Sequence, residues 1–246
     1  MKKFLLLAML VIFPAMLLSA QTGREIIEKS DALPEGDTGR SKVTMKITKD
    51  GRVSDKEFIL SMKKIGKDEE RILVEFTKPT EIKLLTHTHN NREDDQWLQL
   101  SSGKVKRIAS SDKDKPFVNS HFFYEDMESR DIDDYDYKYT GDKKAAGEDC
   151  YTVEAVKKNN SSKVYDKSVI YVRKSDYFTL RVDFYRNGKF FKYLENHNVK
   201  KVNGILTPYK VIMMQSDEKG GTVLNVHEVK YNIQLQESLF NKDSLR

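Results

Sequence analysis

Paired acids and closely spaced histidines are the residues of this chain whose types could do chemistry. Glu125 and Asp126 are adjacent carboxylates, the side chains of general acid and base work. Neighbours on a strand point to opposite faces, so the two share one substrate only if the segment turns. A structural role is the plainer reading. Asp126 would cap a short helix from Met127 to Arg130, and either acid would pair with Arg107. A buried arginine–carboxylate pair is costly to break on one side. Inside a cavity it could also open when a ligand arrives, so Arg107, Glu125 and Asp126 stand as a candidate gating or structural ion pair.

His87-Thr88-His89 places both imidazoles on one strand face, a spacing that zinc sites use. A third ligand would have to come from His121, His197, His227 or a distant acid, and no Cys or Glu stands beside the pair at ligand spacing. No metal is expected. The acids of Asp131-Ile132-Asp133-Asp134-Tyr135-Asp136 lack the glycine and terminal glutamate of a calcium loop. They read as a solvated connection. Cys150 is the single cysteine, so no internal disulfide forms, and no His or Lys adjoins it to activate the thiol. Nucleophile-elbow, phosphate-loop and dinucleotide motifs do not occur. The expectation is a protein without catalytic residues or cofactor, not an enzyme.

Phe117, Phe122, Phe123 and Tyr124 crowd into a short stretch flanked by charged residues. Such a group either plugs a core or lines an apolar portal.

The elements that must hold these residues are mostly strands. Thr22 and Glu25 fit a capping box, so a short helix follows with Ile26, Ile27 and Leu33 as its apolar stripe, until Pro34-Glu35-Gly36 stops it. The pattern then changes to period two: Val43, Met45, Ile47; Phe58, Leu60, Met62; Ile72, Val74, Phe76. Tyr135, Tyr137 and Tyr139, then Tyr151, Val153 and Ala155, then Val169 and Tyr171 give three more strands. Asn187-Gly188, Asn203-Gly204 and Gly220-Gly221 punctuate a four-strand antiparallel meander from about Tyr177 to Ile233. The fold class is mainly β, with about 11–13 strands, more than one flat twisted sheet usually holds. The sheet must curl. Phe190 with Phe191, and Ile212 with Met213 and Met214, make strands apolar on both faces, which need cover on both sides. A helix or an apolar cavity inside the curve would supply it.

Among 246 residues, 43 basic and 38 acidic side chains leave a slight excess that gives no support for nucleic-acid binding. Met1-Lys2-Lys3, the apolar run Phe4 to Leu18 and the exit Ser19-Ala20 read as a cleaved signal peptide over residues 1–20. The run is shorter than the ~20 residues of a membrane-crossing helix. Residues 21–246 would then form one domain. Gln21 stands where a lipoprotein would carry cysteine, so a periplasmic protein without a lipid anchor is expected. A curved sheet of that address with an apolar inside suits a lipid carrier; the pattern equally suits a sheet that only wraps a helix.

Three blocks add to this reading: Trp97-Leu98-Gln99-Leu100, then Arg107-Ile108, then Ser120-His121-Phe122-Phe123-Tyr124-Glu125-Asp126. Together with Asn203-Gly204-Ile205-Leu206-Thr207-Pro208 and Ser238-Leu239-Phe240, the chain resembles the LolA-like family of exported outer-membrane lipoprotein-sorting proteins. It departs from the family at Gln99 and Ser101, where tyrosine and proline are usual, and at Lys157, where proline is. The resemblance implies a strongly curved antiparallel sheet or incomplete β-barrel, with an N-terminal helix and short helices plugging its mouth. It implies a periplasmic carrier of the acyl chains of lipoproteins or other lipids, served by an inner-membrane transporter and an outer-membrane acceptor. It makes Trp97, Leu98, Phe117, Phe122, Phe123 and Tyr124 the candidate lipid-binding residues. The alternative is an envelope sensor, or an accessory domain to a membrane partner such as a lipid-export pump.

Overall fold

The computed structural model of the chain describes residues 21–66, 69–90, 92–128, 130–158 and 164–245. The expected signal peptide lies outside them. The Thr22 hydroxyl accepts the Glu25 N–H at 3.2 Å and Glu25 accepts the Thr22 N–H at 2.8 Å, the predicted capping box. It starts α1 (Gly23–Asp31), which buries Ile26 and Ile27. Leu33 lies past the helix end. Gly23 lets the helix settle on a strand: a Cβ there would stand 2.7 Å from the Tyr139 backbone nitrogen.

Six strands follow: β1 (Thr38–Lys49), β2 (Arg52–Ile65), β3 (Glu69–Lys78), β4 (Ile82–His87), β5 (Asp95–Gln99) and β6 (Val105–Arg107). After a long connection come β7 (Tyr135–Ala145), β8 (Glu148–Lys157), β9 (Lys167–Arg173) and β10 (Thr179–Arg186). The last three are β11 (Lys189–Val202), β12 (Ile205–Gln215) and β13 (Gly221–Tyr231). All thirteen join one antiparallel sheet in the order β6-β5-β4-β3-β2-β1-β13-β12-β11-β10-β9-β8-β7. It is two meanders stitched by a single long-range pairing, β1 with β13, and it stays open between β6 and β7. Asp50-Gly51, Asn187-Gly188 and Asn203-Gly204 each have positive φ at both residues, as type I′ hairpin turns require.

Period-two alternation gives the sheet an inner and an outer face. Val43 stands opposite Phe58 and Val226 on the inner face, and Met45 opposite Leu224. Further along, Val153, Ile170, Val182, Leu194 and Met213 continue that face, strand by strand. Residues 108–134, with short 3-10 turns at Phe117–Asn119 and Tyr124–Met127, lie across it. The outer face is covered at one place by the C-terminal turns, whose Phe240 and Leu245 pack on Leu73, Leu85 and Trp97.

Candidate functional site: an inner-face cleft beside a buried lysine

α1 and the 108–134 segment do not cover the inner face completely. One cleft, about 380 Å³, is floored by Ile170, Val182, Phe184, Leu194 and Met213 and walled by Ile27 and by Tyr135, Tyr137 and Tyr165. A second, about 440 Å³, runs between the Leu33–Gly36 loop and Leu60, Met62, Phe178, Ile205 and Tyr231. Ser30, Glu35 and Thr179 line both, so the clefts meet beneath the C-terminal end of α1. Each volume lies in the range of about 300–1,000 Å³ that small-molecule sites occupy.

Against the first cleft sits a charge that a core seldom accepts. Lys192 is 2% exposed, and its Nζ donates to Asp126 Oδ2 at 2.6 Å and to the His121 carbonyl at 2.9 Å. The same carboxylate accepts the Phe123 N–H at 2.7 Å and, on Oδ1, the Tyr165 hydroxyl at 2.7 Å. The ammonium also lies 4.1 Å from the Phe123 ring centroid and 5.3 Å from that of Tyr165, within reach of cation–π attraction. Burial pushes the Lys192 ammonium below the ordinary lysine value, against the pull of Asp126. Burial, then the neighbouring Asp126, pushes the Tyr165 phenol well above its ordinary value, so it remains a neutral donor. The arrangement clamps. It fastens the turn at Tyr124–Met127 to β11 through Lys192 and to the chain ahead of β9 through Tyr165.

Of the nine residues singled out from the sequence, Glu125 and Asp126 line the first cleft. The six candidate lipid-binding residues line neither. Phe117 and Tyr124 are buried with Phe58, Phe76 and Leu98, and their two rings are 5.7 Å apart. Phe122 is buried with Ile26 and Val153, while Phe123 forms one wall of the lysine box. Trp97 points to the opposite face from Leu98 and packs under the C-terminal turns, because successive strand residues alternate.

The expected ion pair is corrected as well. Arg107 binds Asp95 at 2.5 Å with its side chain 64% exposed, and the partner of Asp126 is Lys192. Arg107 stands opposite Trp97 and so on the outer face of the sheet, whereas Asp126 lies over the inner one. Nor does Asp126 cap a following helix; it caps its own turn through the Phe123 N–H. Asp131 accepts the Asp133 N–H in a short turn that leads into β7, the connection expected there. His87 meets the Phe240 carbonyl at 2.8 Å and His89 meets Asp95 at 3.2 Å, so the two imidazoles are engaged apart. Sequence reasoning missed Lys192 and Tyr165. A signal existed: Lys192 shares parity with Leu194 and so places a charge on the inward side of an alternating strand.

Comparison with known proteins agrees with this architecture. The profile of a family described as an uncharacterized protein matches residues 68–246. No curated protein matches the chain. The crystal structure of a domain named for outer-membrane lipoprotein sorting, from Vibrio parahaemolyticus, is 30% identical, with a TM-score of 0.85 over 91% of this chain and 97% of that one. A DUF1329 family protein from Desulfovibrio piger is 27% identical, with a TM-score of 0.86 over 91% of this chain and 98% of that one. A LolA superfamily protein from Nitrosomonas europaea shares the fold at 20% identity, with a TM-score of 0.69 over 92% and 100% of the two chains. With the open thirteen-stranded sheet, the helix laid inside it and a match along most of its length, the chain belongs to the LolA-like family of outer-membrane lipoprotein-sorting proteins.

Proposed function

We propose that the protein is a periplasmic carrier that binds the acyl chains of lipoproteins or other lipids and ferries them toward the outer membrane. It acts by binding rather than by catalysis. The observation that carries this reading is the pair of clefts meeting beneath α1, floored by aliphatic and aromatic side chains of the inner face. Burying a chain of methylenes there gains about 0.8 kcal/mol per group removed from water. The name of the Vibrio parahaemolyticus relative supports lipoprotein cargo, and with it a donor in the inner membrane and an acceptor in the outer. Titration of the purified protein with a fluorescent fatty acid tests the reading. Ser30→Trp sets bulk where the clefts meet and is expected to abolish most of the binding while the urea midpoint holds. Undiminished binding by that variant would place the acyl site elsewhere.

A further inference from the structure

We infer that the first cleft takes amphiphiles with an anionic head group, held at its rim by Arg130 and Lys157; this rests on the carrier reading above. The two clefts differ in kind. Apart from Glu35 and Glu70 the second is lined by uncharged side chains, whereas the first carries a rim of both signs. Most of the rim acids are already satisfied by cations: Asp126 by Lys192 at 2.6 Å, Glu128 by Lys113 at 2.5 Å and Glu35 by Lys64 at 2.7 Å.

The two rim cations are placed differently. The Arg130 guanidinium lies 5.8 Å from the Tyr135 ring centroid and 5.6 Å from that of Phe184; the Lys157 ammonium lies 5.9 Å from the same Tyr135 ring. Among the described residues neither forms an ion pair within 4 Å. Both also line a small side recess off the main cleft, together with Ser168, Lys167, Glu125 and Asp166. In that recess Lys167 is bound to Glu154 and Asp166 accepts the Gly188 N–H, so the ring-bound cations keep their N–H donors for a ligand.

A guanidinium beside an aromatic face keeps the N–H donors of its own plane, and an ammonium keeps those not directed at the ring. That is the donor set that grips a carboxylate or phosphate. An amphiphile bound by it has its head at Arg130 and Lys157, its first methylenes on Val182 and Phe184, and its tail led past Ser30 and Thr179 into the second cleft. Glu125 faces the same recess and sets the limit on how much negative charge it takes.

The test compares ligands that share one tail. Palmitate, 1-palmitoyl lysophosphatidic acid and uncharged monopalmitoyl glycerol are titrated below their aggregation limits against the wild type, Arg130→Gln/Lys157→Gln and Glu125→Gln. The wild type is expected to bind one or both anionic ligands at least about tenfold more tightly than the neutral one. The double variant should lose that preference while its neutral-ligand affinity and urea midpoint hold, and Glu125→Gln should strengthen it. Preference for palmitate alone assigns a carboxylate head, and for the phosphate alone a phospholipid head. Equal binding of charged and neutral ligands by the wild type would overturn the anionic site while leaving the carrier intact. Binding of none of the three would overturn both.

Discussion

The two halves of the inner face are built from the same alternating pattern and end up opposite in character. Around Val43, Met45, Val74 and Leu84 the cover is aromatic and close-packed: Phe58, Phe76, Phe117 and Tyr124 form a chain of ring contacts 5.1–5.7 Å apart, while the Gly39–Ser41 stretch of β1 and the Leu60–Met62 stretch of β2 border the second cleft. Over β8–β12 the cover is α1 plus a polar clamp, and a cleft remains between them. Alternation decides which side chains face inward; what lies on them decides whether the space is filled. One connecting segment, residues 108–134, does both jobs. It plugs one half with Phe117 and Tyr124, then reaches the other through Asp126.

The sharpest way to break this comparison is to remove the clamp. Lys192→Met leaves the Asp126 carboxylate buried without its cation and is expected to cost about 3–5 kcal/mol of stability. Lys192→Met with Asp126→Asn should cost clearly less than the sum of the single changes, since neither then leaves an unpaired charge. Urea denaturation of the four proteins measures this. A double variant as unstable as the sum would mean that the pair is not coupled.

Truncation on either side sharpens the contrast. Phe117 is 1% exposed, so Phe117→Ala opens a void in the close-packed half and should cost about 3–5 kcal/mol with acyl-chain affinity unmoved. Leu194 already borders open space, so Leu194→Ala creates no new sealed cavity and should cost about 1 kcal/mol while weakening affinity. The pair of measurements, urea midpoint and probe titration, must move in opposite proportion. If Phe117→Ala weakens binding as much as Leu194→Ala does, the plug lines the lipid path after all. Weaker again is Arg107→Ala: the guanidinium is mostly exposed, and the buried Asp95 keeps Arg92 at 2.8 Å and His89 at 3.2 Å, so the loss should shift stability by less than about 1 kcal/mol. A shift as large as that of Lys192→Met would show that exposure misjudges that pair.

Much of this architecture could be read from the chain because its signals are local. The capping box at Thr22 and the turn pairs at Asn187 and Asn203 are decided by a few adjacent residues, and the structure has them where expected. The inward runs Val43-Met45-Ile47 and Phe58-Leu60-Met62 follow from parity alone. The site was less legible because its partners are remote in sequence. Asp126 and Lys192 meet only after β1 and β13 close the two meanders into one sheet. The aromatic block from Phe117 to Tyr124 read as plug or portal; its 3-10 turns point Phe117, Phe122 and Tyr124 down onto the sheet, a choice that composition does not encode.

The smallest expected effect is a pH dependence that also separates the two halves. His121 lies where the connecting segment passes from one to the other, and its Nδ1 meets the Thr222 hydroxyl at 2.9 Å. Its backbone N–H donates to that same oxygen at 3.0 Å, so one hydroxyl of β13 holds both the ring and the backbone of His121. Burial lowers its pKa below the ordinary histidine value, and the nearby Lys49 and Lys192 lower it further, with Asp50 opposing. A histidine depressed in the folded state is neutral there while the unfolded chain takes up a proton. The stability it contributes is therefore complete above the ordinary value of about 6.5 and is lost as pH falls through the depressed one. His87 is depressed by burial in the same direction, beneath the C-terminal turns, so the wild type loses stability from both. Between pH 7.5 and 5.5 the urea midpoint should fall in the wild type and fall less in His121→Gln, which carries no titrating ring. Because His121 touches the clamp through its carbonyl to Lys192, the remaining drop should be matched by slower proteolysis of His121→Gln than of the wild type within residues 108–134 at the lower pH. An equal fall in both proteins would assign the dependence to His87 and leave the clamp insensitive to pH.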